Sequence, residues 1–252
     1  MTDPGTLTLP SAELQAPMDF CEVCPVWEPN RLLVSPLYKD SYFSKAGAIA
    51  ESCHIFLQQN RLPHRWLEKP VFHICETGFG TGLNFLLTMD FWRRFAPSGA
   101  FLHYTSIEKH PIPKGHLAEI HKAWPSLHGL SRLLLDHYPA CSPGKKHLLF
   151  PEQRMGMDLI LADAAELDGW MEEEVDAWFL DGFSPGVNPQ MWSRNLFQTM
   201  GKWTARGGTF ATFTAAGFVR RALSEQGFSV EKIPGFRFKK DMLRGVLKRK
   251  IP

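Results

Sequence analysis

Residues 71–84, Val71-Phe-His-Ile-Cys-Glu-Thr-Gly-Phe-Gly-Thr-Gly-Leu-Asn84, constrain this chain more than any other stretch. An apolar run stops at an acid, Glu76, and then passes through three alternating glycines, Gly78, Gly80 and Gly82. The run 71–75 reads as a buried parallel strand. From Leu83 onward, Phe85, Leu86, Met89 and Trp92 recur at helical spacing and predict an amphipathic helix packed on that strand. The glycines let the connecting turn fold tightly and let a ligand approach bare backbone, which any Cβ obstructs. Strand, turn and helix together predict a nucleotide-type pocket; a turn serving only packing is the plain alternative.

The spacing narrows the ligand. Gly-x-Gly-x-Gly is not the dinucleotide fingerprint Gly-x-Gly-x-x-Gly, and no Gly-Lys-Ser/Thr follows to make a phosphate loop. Glu76 stands at the strand end, toward the space where a dinucleotide places its pyrophosphate, and an acid there suits a cationic ligand better. S-adenosylmethionine carries a sulfonium and an α-ammonium and has no phosphate, so the electrostatics favour it over NAD or FAD.

Three more strands end in acids. Residues 102–108 end in Glu108, placed to take both hydroxyls of a ribose held over the glycine turn. Residues 157–163 and 175–181 end in Asp163 and Asp181. Further strands are predicted at 147–150, 207–214, 228–233 and 242–248, with helices between them. Ligands in open α/β sheets bind outside the carboxyl ends of the strands, so the four acids are expected to meet in one crevice. This arrangement fits class I methyltransferases, whereas a dehydrogenase leaves Asp163 and Asp181 without a task.

Residues 1–19, rich in Pro, Thr and small side chains, are expected to form a flexible tail. Residues 20–70 predict an N-terminal β-hairpin and helix extension, with strands at 31–34 and 38–44 and a helix at 46–60, laid on the main domain as a lid. The remaining residues, 71–252, form that α/β domain. The 252 residues, 44% hydrophobic, suffice for one large domain with such an appendage.

The formal net charge of +2 hides an uneven distribution. Residues 158–181 hold nine acids and no Lys or Arg, while residues 220–250 hold ten basic residues and three acids. These segments suit a cationic cofactor and a polyanionic partner; solvated helix faces are the alternative. Five scattered cysteines make no disulfide framework and point to a reducing, cytoplasmic setting. Cys21 and Cys24 have knuckle spacing without a second pair, so no metal site is expected. No apolar run is long enough to span a bilayer, so no membrane association is expected. The first basic residue is Arg31, unlike a signal or transit peptide.

Asp181 opens Asp181-Gly-Phe-Ser-Pro185, placed where amino-methyltransferases set an acid or amide beside the transferred methyl, with Phe183 and Pro185 on the acceptor side. Methyl transfer to an amine makes the nitrogen cationic, and a carboxylate near it gains interaction energy in the transition state. A proton moving from a lysine-like amine to an ordinary Asp travels uphill by roughly 9 kcal/mol. Asp181 is therefore expected to orient the amine and stabilise its charge, the proton leaving mainly to water.

A family resemblance adds to this reading. Residues 75–85, Ser106-Ile-Glu-Lys109, Asp176-Ala-Trp-Phe-Leu-Asp-Gly-Phe-Ser-Pro185, Asn188-Pro-x-Met-Trp192, Asn195-Leu-Phe197 and residues 207–221 closely resemble the methyltransferase half of the bifunctional tRNA 5-methylaminomethyl-2-thiouridine biosynthesis family. Tyr42-Phe-Ser44 and residues 235–245 extend the match, which covers roughly residue 38 to the end. The resemblance implies a class I, Rossmann-like α/β fold with a seven-stranded sheet, S-adenosylmethionine as cofactor, and methylation of the 5-aminomethyl group on the wobble uridine of tRNA. It implies that Glu76, Gly78, Phe79, Gly80, Gly82, Asn84, Glu108, Lys109, Asp163 and Asp181 contact cofactor, with Tyr42 and Phe43 covering it. The bifunctional member continues into a flavin-dependent oxidase, and this chain ends at Pro252, so no FAD is expected and the substrate should already carry a free aminomethyl group.

A tRNA partner suits the basic C-terminal segment. Arg220, Arg221, Arg237, Lys239 and Lys240 are expected to meet phosphates around the anticodon stem-loop, and Phe236 or Phe238 to stack on a loop base. Two rival readings remain open in the residues: a methyltransferase for another amine, and a non-catalytic tRNA-binding protein with a vestigial cofactor pocket.

Overall fold

A computed structural model of the chain describes residues 23–250 except 30, 31, 45, 46, 238 and 239. The expected tail (1–19), Cys21, Arg31, Phe238 and Lys239 lie outside the described residues. In chain order the elements are β1 (Val26–Trp27), β2 (Leu33–Val34), α1 (Ala48–Ser52), β3 (Val71–Thr77), α2 (Leu83–Phe95), β4 (Phe101–Glu108), α3 (Lys114–His121), α4 (His128–His137), β5 (Gly144–Phe150), β6 (Met155–Leu161), β7 (Val175–Leu180), α5 (Arg194–Trp203), β8 (Thr204–Thr212), α6 (Gly217–Glu225), β9 (Phe228–Pro234) and β10 (Asp241–Leu247).

The main sheet runs β5-β6-β4-β3-β7-β8-β10-β9, with β6, β4, β3, β7 and β8 parallel and β5 and β10 antiparallel to their neighbours. The resemblance implies seven strands and the sheet has eight, because β5 turns back at the left-handed Arg154 (φ 52°) to pair along the open edge of β6. Strand order reverses at β3, whose neighbours are β4 and β7, and this switch opens a crevice beyond their carboxyl ends. The glycine turn after β3 lies there. Apolar clusters fill both faces of the sheet, one centred on α2 and the other on α5 and α6.

The helix read from Leu83 onward is α2, but it is less amphipathic than expected: Leu87 is buried along with Phe85, Leu86, Met89 and Trp92. The reason is that residues 47–68 cover its outer side, with Trp66 edge-on to Trp92 at 5.2 Å. Buried polar contacts fasten this segment to the sheet. Asn60 Nδ2 donates to the Trp178 carbonyl at 3.2 Å, Thr209 Oγ1 donates to Asn60 Oδ1 at 2.6 Å, and Arg65 Nη1 donates to the Asp176 carbonyl at 3.0 Å.

The N-terminal expectations need correcting in detail. The hairpin pairs β1 with β2, and residues 38–44 are not a strand: the chain turns at Pro36 and at Lys39 (φ 52°), leaving one bridge from Ser41 to Val34. The helix expected at 46–60 is α only over Ala48–Ser52 and then widens to a π-type turn at Cys53–Gln58.

Candidate active site

The three glycines act for different reasons. Gly78 (φ +74°) passes the Asp181-Gly182 backbone so closely that a Cβ would lie 3.0 Å from Gly182 Cα. Gly82 (φ +73°) begins α2 under the Phe79 ring, 2.8 Å from where its Cβ would be. Gly80 (φ +51°) lies beneath Tyr42. Left-handed backbone at all three positions excludes ordinary side chains. Glu108 holds the turn from the neighbouring strand: its Oε2 accepts from Gly80 N at 2.8 Å and its Oε1 from His110 N at 2.7 Å.

This turn floors a cleft enclosing about 970 Å³, its open mouth included, lined by Gly78, Phe79, Gly80, Asn84, Glu108, Lys109, Asp163, Asp181, Phe183, Tyr42 and Phe43. Thus three of the four strand-end acids converge as expected. Asp163 pairs with Lys109 (Nζ to Oδ2 2.7 Å) and accepts from Ala165 N at 2.9 Å. Burial opposes its ionisation, but Lys109 and the Ala165 N–H outweigh this and hold its carboxyl below the usual range.

Glu76 departs from expectation. Its side chain points into the protein, fully buried, where Asn84 Nδ2 donates to Oε1 at 2.9 Å and Ser106 Oγ donates to Oε2 at 2.7 Å. Register accounts for the second bond, since Glu76 and Ser106 are paired across β3 and β4. Burial, reinforced by the Asp181 carboxylate, pushes Glu76 up to about 8, against the hydrogen bonds from Ser106 and Asn84. Glu76 is therefore not the charge that lines the cleft. Asp181 is, and the same Asn84 Nδ2 donates to its Oδ2 at 2.7 Å while Gly182 N donates to Oδ1 at 2.8 Å.

An aromatic wall from the N-terminal segment closes over the turn. Tyr38 stacks on Phe183 (centroids 4.6 Å, 28°), Tyr42 meets Phe183 edge-on at 5.2 Å, and Phe43 contacts Trp124 at 6.0 Å. Burial, then the Glu108 and Asp163 charges, raise the Tyr38 phenol, which stays neutral. Tyr38, His110, Asn188, Gln190 and Met191 also line the cleft, and the sequence reading assigned them no role. The only early signal for Asn188 and Met191 was their place in the resembling motif 188–192.

A second cavity of about 1250 Å³ adjoins the first and shares Ser41, Tyr42, Phe43, Ser52, Asp181 and Gly182 with it. Its remaining wall includes Asp40, Glu51, Ile55, Phe56, Phe213 and Lys240. Pro185 lines neither cavity. Arg220 and Arg221 are exposed on α6 and Arg237 is exposed beside Phe236, so of the described residues expected to meet tRNA phosphates only Lys240 reaches the wall of either cavity. Phe236 packs against His54 at 5.4 Å. Trp178 is core, as its place within a strand requires.

Comparison with known proteins agrees with this geometry. A family model described as S-adenosyl-L-methionine-dependent methyltransferase matches residues 125–248. The tRNA 5-methylaminomethyl-2-thiouridine biosynthesis bifunctional protein MnmC of Hahella chejuensis is 43% identical over 93% of this chain and 38% of its own length. The protein of the same name from Idiomarina loihiensis is 46% identical over 84% of this chain and 36% of its own. The chain thus spans little more than a third of these relatives. The crystal structure of MNMC2 from Aquifex aeolicus superposes with a TM-score of 0.72 at 23% identity, covering 92% of this chain and 72% of that one. No helix among the described residues is long and apolar enough to cross a membrane. By fold, glycine cradle and relatives together, the chain belongs to the class I S-adenosylmethionine-dependent methyltransferases, in the family of the methyltransferase region of the MnmC proteins.

Proposed function

We propose that this chain methylates the primary amine of 5-aminomethyl(-2-thio)uridine at the wobble position of tRNA, yielding 5-methylaminomethyl(-2-thio)uridine. The observation that carries this reading is that Asp181 and Gly182 line both cavities, so one carboxylate faces the cofactor side and the acceptor side at once. The cleft fits S-adenosylmethionine: its cradle requires bare backbone at Gly78, and its lining presents carboxylates but only one lysine, itself paired with Asp163. When bound, that cofactor supplies a methyl group on a sulfonium that departs neutral.

The chain's own residues do the rest. Glu108 keeps acceptor lone pairs for ribose hydroxyls beyond its two backbone bonds. Tyr42 and Phe43 cover the ligand and divide it from the acceptor. The second cavity, apolar on Ile55, Phe56 and Phe213 and acidic on Asp40 and Glu51, suits a flipped-out base bearing a cationic side chain. Asp181 orients the amine and stabilises its developing charge, and alignment of this kind supplies about 7 to 11 kcal/mol at best. Lys240 at the cavity wall, with Arg220, Arg221 and Arg237, meets phosphates of the anticodon stem-loop. A tRNA substrate carries with it a cytoplasmic setting.

The test is nucleoside mass spectrometry of tRNA bearing 5-aminomethyl wobble uridine after incubation with the protein and S-adenosylmethionine. Conversion that disappears with Asp181→Asn supports the reading. Cofactor binding without conversion removes the substrate and leaves the fold.

A further inference from the structure

Two carboxylates beside the glycine turn share one donor. Nδ2 of Asn84 lies 2.9 Å from Glu76 Oε1 and 2.7 Å from Asp181 Oδ2. The groups facing Glu76 are Ser106 and Tyr104 on β4, Asn84 on α2, Asp181 after β7 and the neighbouring Cys75 thiol. No Lys, Arg or His is among them. Two unit charges 4 Å apart repel by about 4 kcal/mol at an effective dielectric of 20, and burial adds a desolvation cost. A proton on one acid relieves both. Glu76 is the acid sealed from water, whereas Asp181 lines the cleft.

We propose that Glu76 holds a proton in the free protein and gives it up when S-adenosylmethionine binds, so that cofactor binding exchanges a proton for the ligand's positive charge. Glu76 then acts as a positioning residue through Asn84. In the free protein the protonated acid spares Asp181 a second anion. With a cation in the cleft, both carboxylates ionise, and the two hydrogen bonds that Asn84 already donates to them become charge-assisted on both sides, which holds Asp181 more firmly in its orientation toward the acceptor cavity. Methyl transfer moves the positive charge from sulfur to the acceptor nitrogen, and as the products leave, Glu76 recovers a proton from solvent. Over the cycle the proton count of the site is unchanged. The inference rests on the cofactor assignment and is independent of the tRNA substrate.

Isothermal titration calorimetry of the full chain tests it, with S-adenosylmethionine and S-adenosylhomocysteine each titrated at pH 7 in two buffers of different ionisation enthalpy. Binding of S-adenosylmethionine is expected to release close to one proton (about 0.9), the occupancy of an acid titrating near 8. S-adenosylhomocysteine, which lacks the sulfonium, should release markedly fewer. The sulfonium lowers the α-ammonium pKa of S-adenosylmethionine relative to that of S-adenosylhomocysteine, so re-protonation of that amine on binding takes up a fraction of a proton, opposite in sign to the release expected and unable to imitate it. Affinity for S-adenosylmethionine should rise up to about tenfold per pH unit relative to S-adenosylhomocysteine below pH 8, and Glu76→Gln should flatten that rise. Buffer-independent enthalpies, equal release with both ligands, or undiminished release in Glu76→Gln would each overturn the proposal. If Glu76→Gln fails to fold, the two-ligand comparison on the unaltered protein still decides.

Discussion

The Tyr38 ring stacks on Phe183 with centroids 4.6 Å apart and planes 28° from parallel, joining the N-terminal segment to the loop that follows Asp181. Residues separated widely in sequence thus form one wall of the cofactor cleft. Offset aromatic pairs contribute about 0.5 to 1.5 kcal/mol beyond their buried area. Tyr38→Ala should weaken S-adenosylmethionine binding by about threefold to tenfold, and Phe183→Ala should do the same. In a double-mutant cycle the two losses should not add; full additivity would show that the stack does not act as a unit.

Asp181→Asn should lower turnover by about 10²- to 10³-fold, the range seen when one preorganised electrostatic partner is removed. Cofactor affinity should change little by comparison, because the glycine cradle and Glu108 remain. Single-turnover rates measured alongside equilibrium cofactor binding separate the two effects. Unchanged turnover removes Asp181 from the mechanism.

Gly78→Ala should abolish cofactor binding before it abolishes folding. The added Cβ meets backbone, Gly182 Cα at 3.0 Å, and left-handed φ adds about 1 to 2 kcal/mol of strain. The turn and the Asp181 loop must separate to admit it. A melting temperature reduced by several degrees, with cofactor affinity down more than about tenfold, is the expected pair of readings. Native affinity in a folded Gly78→Ala protein would contradict the cradle.

Stability should depend on pH through His103 and Asp158, which meet at 3.3 Å on the sheet far from the cleft. Burial opposes ionisation of Asp158, but His103, His147 and Lys145 overcome it and bring its carboxyl down to about 2. Burial likewise opposes the His103 cation, and Asp158 and Glu173 more than restore it, raising its pKa. A depressed acid contributes stability that is present above its unfolded value of about 3.9 and lost as pH falls through its folded value. A raised histidine contributes stability that is full below about 6.5 and lost as pH rises through its folded value. The difference in melting temperature between the unaltered protein and Asp158→Asn should therefore be greatest between about pH 4 and 6.5. A difference that is constant from pH 3 to 8 would refute the pairing.

Binding of tRNA should weaken steeply with salt, since log affinity falls in proportion to the phosphates neutralised. Replacing Arg220 and Arg221 together by Ala should reduce that slope by about 2 on tRNA. A slope untouched by the double replacement would move the nucleic-acid surface elsewhere.

Much of the site was legible in the chain because its signals are local. The glycine turn needs left-handed backbone at Gly78, Gly80 and Gly82, and only glycine supplies it without strain. Glu108, Asp163 and Asp181 each follow an apolar run, and parallel strands bring such ends to one edge of the sheet. Tyr38 was not legible as a site residue, because what brings it to the cleft is the turn at 36–39 folding the N-terminal segment over the sheet, whereas His110 is carried there by the end of β4, its N–H donating to Glu108. A pattern of alternating residues at 38–44 resembles a strand, and Lys39 in left-handed backbone breaks it.

The amino-acid sequence by itself determined the fold class, the cofactor and the acids available to the cleft, through short-range rules of periodicity, glycine conformation and strand termination. Only the tertiary structure decided which acid carries charge. Glu76 and Asp181 are equally acidic as strand-end residues, and packing makes them different: Asn84 joins them, Ser106 arrives by register from β4, and loss of water around Glu76 penalises its anion while Asp181 keeps contact with the cleft.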